Sequence, residues 1–180
     1  MGSDDIIYKG IAAEQLPGVF EAWAEFLPKN NPDRVLELGT GYGGLTLLFA
    51  EWCWSRGVYM MTIDKNDRVR CKSQLTDLAV TIVTNSFEAS HQRIKNFLAI
   101  GKKPLILCDG GCGGTDGKEH QIHQMAPLLK PGWLFCAHDY PYPENGGFSE
   151  AIGDSFILRY GLRKVDTKLW DLGWWIAEKE

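Results

Sequence analysis

The chain alternates short apolar runs with stretches of helical period from end to end. Phe20, Trp23, Phe26 and Leu27 sit at helical spacing, which predicts a first helix over 13–27, and Asn30-Asn31-Pro32 breaks it. Arg34–Leu38 reads as a strand. A helix over 43–55 follows, with Leu45, Leu48, Phe49 and Trp52 on one face and Gly57 at its end. The alternation continues with a strand over 58–63, a helix over 67–78, a strand over 80–84, a helix over 87–100 and a strand over 104–108. A glycine-rich segment, 109–117, fits no regular element. Beyond it come a helix over 118–129, a strand over 133–137, a proline-containing loop over 138–147 and a helix over 149–160. Two last strands, 162–168 and 174–178, are close enough in sequence to pair antiparallel.

This pattern predicts an α/β fold: a Rossmann-like, seven-stranded, mostly parallel sheet with helices on both faces and an antiparallel pair of final strands. A single domain over 1–180 is expected, with 1–33 an N-terminal helical segment and 34–180 a cofactor-binding core. A plain dinucleotide-binding domain has six parallel strands and no closing hairpin.

Composition narrows the classes. At 44% hydrophobic and 23% charged residues the chain is globular. A net charge of −4 and a pI near 5.6 argue against a nucleic-acid surface. No apolar run approaches the length of a membrane span, and the acidic start MGSDD is unlike a signal peptide. Five cysteines without framework spacing point to reduced thiols in the cytoplasm.

The chemistry begins at VLELGTGYGG, 35–44. Gly39, Gly41 and Gly44 satisfy the dinucleotide pattern G-x-G-x-x-G. Glu37, Gly39, Gly41 and Gly43 satisfy E-x-G-x-G-x-G, the loop that binds S-adenosylmethionine (SAM). Asp64, about twenty residues on, could serve either cofactor by accepting from ribose hydroxyls. Glu37 separates the two. It ends an apolar strand, so it needs a partner, either a cation or a neighbour such as Arg34. A diphosphate would repel it, whereas the amine of SAM would attract it. Asn85 and Ser86 close the third strand where adenine could be read, and Ser86 is equally suited to cap the next helix.

With those motifs in view, the chain resembles class I SAM-dependent methyltransferases over nearly its whole length. VLELGTGYGG, TIDKND, VTNSFEA, LILCDGG, LLKPGWLFCAHDY and GWWIAEK stand in that family's order. LLKPGWLFCAHDY after an Asp-Gly resembles a smaller group, the metal-dependent O-methyltransferases of the catechol type and the cephalosporin-hydroxylase-like enzymes. The resemblance implies SAM contacts from Glu37, Gly39, Thr40, Gly41, Tyr42, Gly43, Asp64, Lys65, Asn85, Ser86 and Asp109. It also implies catalytic and divalent-metal roles for Asp109, His138 and Asp139, with Mn, Mg or Fe as the ion. The expected function is methylation of a hydroxyl on a small molecule, with no nucleic-acid or membrane partner. A homo-oligomer could complete the acceptor site. Relatives often read Asp-Gly-Asp-His where this chain reads Asp109-Gly110-Gly111-Cys112. That departure leaves open a SAM-binding protein with impaired catalysis, and an NAD-dependent oxidoreductase is a third reading.

Several further residues invite chemistry. Cys108, Cys112, His120 and His123 do not match a zinc-finger spacing. His120 and His123 share a helix face and could line a cleft or stand in solvent. Tyr140 and Tyr142 could wall an acceptor site or pack within their own loop.

Overall fold

The structure is a computed structural model, and it describes residues 6–110, 117–143 and 147–180. A small antiparallel hairpin, β1 (Ile6–Tyr8) and β2 (Ile11–Ala13), precedes helix α1 (Val19–Asn30). The core follows as β3 (Arg34–Leu38), α2 (Gly44–Arg56), β4 (Tyr59–Asp64), α3 (Lys72–Asp77), β5 (Thr81–Thr84), α4 (Phe87–Ala99) and β6 (Pro104–Cys108). It continues through α5 (Lys118–Met125), β7 (Leu134–Ala137), α6 (Glu150–Tyr160), β8 (Leu162–Lys164) and β9 (Trp175–Lys179). The seven core strands lie in the order β5-β4-β3-β6-β7-β9-β8. β3 to β7 are parallel, while β9 runs antiparallel between β7 and β8. The mostly parallel sheet with an antiparallel end is the architecture the pattern predicted.

Strand periodicity divides the core into two layers. Val35, Leu105, Leu107, Leu134 and Cys136 face one layer with α1 and α2. Leu36, Leu38, Ile106, Cys108, Phe135 and Ala137 face the other, with α4, α5 and α6. Both faces are covered, so the central strands read as unbroken apolar runs. The same alternation places Glu37 on the α2 side, two residues from Val35.

Several boundaries differ from the sequence expectation, and three of the differences have a clear local cause. The N-terminal segment is not all helical: 6–13 form a hairpin, and α1 starts only at Val19, after Pro17 and a Gly18 with φ +88°. That hairpin packs onto the start of α2, where a Cβ on Gly44 would meet the Ala12 carbonyl oxygen at 2.6 Å. The helix expected over 67–78 is confined to Lys72–Asp77. Residues before it bind the glycine loop instead: the Arg70 amide donates to the Tyr42 carbonyl at 3.1 Å, and the Arg70 guanidinium lies 4.3 Å from the Tyr42 ring centre. The strand expected over 162–168 ends at Lys164. Residues Lys168–Leu172 form a 3-10 helix that the Trp170 indole anchors by donating to the Val165 carbonyl at 2.7 Å.

Candidate active site

A cavity of about 950 Å³ opens at the carboxyl ends of the parallel strands, where open α/β sheets bind their ligands. One flank is the loop joining β3 to α2. Gly39, with φ +104°, makes the closest approach: a Cβ there would lie 2.3 Å from the Asp109 carbonyl oxygen. Only glycine lets β3 and β6 diverge around the loop at this separation. Gly43 also has positive φ, +96°, and caps α2, whose amino end lines the cavity without a side-chain cap. Gly39, Thr40, Gly41, Tyr42 and Gly43 all line the cavity.

Glu37 lines it as well, 1% exposed. Arg34 is not its partner, since the guanidinium packs over Tyr59 and Phe97. Two hydroxyls hold the carboxylate instead. Thr46 and Thr62 donate to Oε2 at 2.7 and 2.6 Å, and Thr40 lies 2.6 Å from Thr62 behind them. Burial pushes the Glu37 carboxyl up to about 8, against the lowering by the two threonine hydrogen bonds; Asp109 and Asp64 add repulsion. A cation at its open oxygen would favour the ionised form.

Asp64 ends β4 on the same wall. Its Oδ2 accepts from the Gly41 amide at 2.9 Å and its Oδ1 from the Asn66 amide at 2.8 Å. These contacts fix the carboxylate beside the glycine loop and leave acceptor capacity for a diol. Lys65 and Asn85 line the cavity too, whereas Ser86 does not. The Ser86 hydroxyl caps α4 by accepting from the Ala89 amide at 3.2 Å, so the capping reading describes its side chain.

Asp109, His138 and Asp139 form a second group in the cavity lining. Asp109 follows β6, and His138 and Asp139 follow β7, so parallel pairing brings them together. His138 Nδ1 lies 2.9 Å from Asp109 Oδ1 and 3.4 Å from Asp139 Oδ1. With the proton on Nδ1, the ring donates to Asp109 and keeps Nε2 as an acceptor. Burial alone lowers the His138 pKa. The Asp109 charge and hydrogen bond, followed by Asp139, outweigh it and leave the value raised, while Lys118 opposes. The His138 ring packs on Trp174, centres 4.8 Å apart. Asp139 adopts φ +59°, an uncommon conformation for a residue with a side chain, and Gly147 packs so close that a Cβ on it would overlap the Asp139 carbonyl.

One donor atom from each of these three residues falls within 4.8 Å of the others, and cis ligands on an octahedral ion sit roughly 3 Å apart. The span therefore approaches that of a metal shell. The donors are nonetheless engaged: Asp109 with His138, and Asp139 Oδ2 with Lys118 Nζ at 2.5 Å. Lys118 is 3% exposed and lines the cavity. The cluster thus carries its own buried cation, and Asp109 Oδ1 and Asp139 Oδ2 are already engaged within it.

Two residues of this site have no signature in the sequence. Lys118 reads as an ordinary solvated helix start. Gln15, in the segment before α1, is 3% exposed; its Nε2 donates to Asp109 Oδ2 at 2.9 Å and its Oε1 accepts from the Trp174 indole at 3.0 Å. Both contacts span long separations in sequence, which local patterning does not register. The remaining candidate residues divide between the cavity and other parts of the fold. His120 sits 3.8 Å from Glu88, His123 is 2.6 Å from the Tyr160 hydroxyl, and neither lines the cavity. Tyr142 lines it, whereas Tyr140 is buried among Phe148 and Trp170. Cys108 is buried in β6, its thiol pushed up by burial, and Cys112 lies outside the described residues.

No protein-family model and no curated protein matches the sequence. Solved structures do share the fold. CmcI with magnesium and SAM superposes with a TM-score of 0.68 at 14% identity, over 97% of this chain and 76% of that one. The SAH-bound methyltransferase PaMTH1 of Podospora anserina gives 0.59 at 13% identity, over 88% and 76%. An O-methyltransferase family protein of Burkholderia thailandensis gives 0.55 at 12% identity, over 90% and 58%. The chain therefore has the fold of class I SAM-dependent methyltransferases.

Proposed function

We propose that the protein is a SAM-dependent methyltransferase acting on a hydroxyl of a small molecule. The observation that carries this reading is the meeting of two groups of residues in one cavity. The glycine loop, Glu37 and Asp64 line it together with Asp109, His138 and Asp139. The neighbours of the same fold include one in complex with magnesium and SAM and one in complex with SAH. A dinucleotide fits less well, because its diphosphate would approach the buried Glu37 carboxyl.

In this reading the α2 amino end and the glycine loop receive the methionyl arm, Glu37 its ammonium, and Asp64 the ribose diol. Lys65 and Asn85 stand beside the adenine. The acceptor hydroxyl lies against His138. As the bond between sulfur and methyl breaks and the oxygen–methyl bond forms, the hydroxyl proton passes to His138 Nε2. The Asp109 carboxylate stabilises the imidazolium through Nδ1. The products are the methyl ether, the demethylated cofactor and a proton later released to solvent. Positioning and proton removal are the protein's contributions. The expectation of a divalent ion on Asp109, His138 and Asp139 meets the Lys118–Asp139 ion pair, and proton removal here uses only the protein's own side chains.

Calorimetry with SAM and SAH tests the cofactor, and mass spectrometry of a panel of hydroxylated acceptors incubated with SAM tests the reaction. Binding of both ligands with a gain of one methyl on an acceptor is the expected result. Absence of SAM and SAH binding at high micromolar concentration overturns the reading. Binding without transfer to any acceptor leaves the impaired, SAM-binding alternative.

A further inference from the structure

The cluster at the acceptor end holds two carboxylates within reach of one imidazole, a combination that ordinarily draws in a cation. Here a cation is already present. Lys118 Nζ stands 2.5 Å from Asp139 Oδ2, and both the lysine and His138 are buried. An ammonium removed from water is costly unless its charge is compensated, and the half-buried Asp139 carboxylate compensates Lys118. The position works against the helix: Lys118 is the first residue of α5, where the macrodipole opposes a positive charge. A solvated face would relieve that conflict, yet the side chain turns inward. Asp139 is held in its uncommon backbone conformation, with Gly147 packed against it. The arrangement fixes an ammonium beside a carboxylate whose second oxygen faces His138 at 3.4 Å.

We propose that the Lys118 ammonium takes the station of a divalent cation in this cluster, so that the protein holds Asp109, His138 and Asp139 together without a metal and rejects one offered to it. This rests on reading the cluster as the acceptor end of the cavity. The fit of the donors decides the point. A dication among Asp109 Oδ1, His138 Nδ1 and Asp139 Oδ1 would break the Asp109–His138 hydrogen bond. It would also lie within a few ångströms of the ammonium. Each unit of the dication's charge at that distance lowers affinity by on the order of a thousandfold at an intermediate dielectric. Lys118 thereby also acts as a positioning residue. It keeps Asp139 from competing with Asp109 for the imidazole proton, which leaves Nε2 aimed at the acceptor.

The test titrates Mn²⁺ into the full chain and follows the six-line signal of free Mn²⁺ by electron paramagnetic resonance. The wild-type protein is expected to leave the signal intact at millimolar Mn²⁺. Lys118→Met removes the ammonium and frees Asp139 Oδ2. It is expected to gain at least about a hundredfold in Mn²⁺ affinity. Lys118→Arg keeps the charge and is expected to behave as wild type. Micromolar Mn²⁺ binding by the wild-type protein overturns the proposal, and this measurement requires no variant to fold. A folded Lys118→Met protein with no gain in Mn²⁺ affinity overturns it as well. SAH calorimetry on the same proteins separates this result from the cofactor reading: loss of SAH binding by wild type, with the manganese pattern intact, removes the proposed function and leaves the built-in cation.

Discussion

Gln15 and Asp109, 94 positions apart in sequence, meet as a hydrogen-bonded pair with Gln15 Nε2 2.9 Å from Asp109 Oδ2. The contact ties the N-terminal segment to the carboxyl end of β6. It also determines which oxygen of Asp109 is left for His138, because Oδ1 faces the imidazole. Gln15→Ala removes the donor and leaves the Trp174 indole, itself bonded to Gln15 Oε1, without its acceptor. Orphaning buried polar groups costs about 1–3 kcal/mol. Thermal unfolding should show that loss, and methyl transfer should fall further than SAM affinity, because the damage is confined to the acceptor end. Gln15→Glu, nearly equal in shape, should be worse than Gln15→Ala near neutral pH, since it sets a second carboxylate against Asp109.

On the proposed function, Glu37 should make cofactor binding depend on pH. Its carboxyl is pushed from the ordinary 4.5 to about 8 by burial, so the ligand-free protein holds a proton there that the unfolded chain has lost. Between those two values the folded state binds more protons, and stability contributed by this group falls as pH rises. An ammonium at the site favours the carboxylate, so SAM binding below pH 8 expels the proton. Affinity should therefore rise with pH, by at most about tenfold per pH unit, and level off above about 8. Calorimetry in buffers of different ionisation enthalpy measures the released proton directly. Glu37→Gln should bind SAM more weakly at pH 8 and lose the slope; an unchanged slope would remove Glu37 from the amine site.

The sheet was legible because its signal is local. Apolar runs such as Arg34–Leu38 and Pro104–Cys108 are bounded by glycine and proline, and both strands have the expected limits. The errors fall where tertiary contacts override period. Residues 67–71 have a helical composition but spend their amide and guanidinium groups on Tyr42. Residues 6–13 lie against α2 as a hairpin that too few residues could announce. The site divides in the same way. Gly39, Glu37, Asp64 and Asp109 stand at strand ends, so topology alone brings them to one edge. Lys118 and Gln15 come from segments without a motif, and only their burial against Asp139 and Asp109 reveals them.

Gly39 should tolerate no side chain. Its φ of +104° is unfavourable for any L residue, and the added Cβ would strike the Asp109 backbone, with three atoms of 109 and 110 within 2.6 Å. Backbone, unlike a flexible side chain, cannot turn aside. Gly39→Ala should cost at least about 2 kcal/mol of stability and push β3 and β6 apart where Gly39 lines the cavity. Gly57 supplies the control. It also has positive φ, +65°, but a Cβ there meets nothing within 4 Å. Gly57→Ala should lose stability from backbone strain alone and keep its SAM affinity.

His138 can be separated from its neighbours by asking which step fails. The ring is held from three directions: Nδ1 by Asp109, the backbone amide by the Cys108 carbonyl at 3.0 Å, and the face by Trp174. A glutamine at this position keeps most of the volume and can still donate to Asp109, yet it offers no basic nitrogen. His138→Gln should therefore fold and bind SAM nearly as wild type while methyl transfer falls by about 10²–10⁴-fold, the usual contribution of a general base. Acceptors of lower pKa should recover part of the rate, because a hydroxyl already ionised needs no base. Equal losses for acidic and ordinary hydroxyl acceptors would instead mean that the ring serves only to shape the pocket. Asp109→Asn, which keeps the hydrogen bond but not the charge, should produce the same dependence on acceptor acidity in weaker form, since it acts on the proton only through His138.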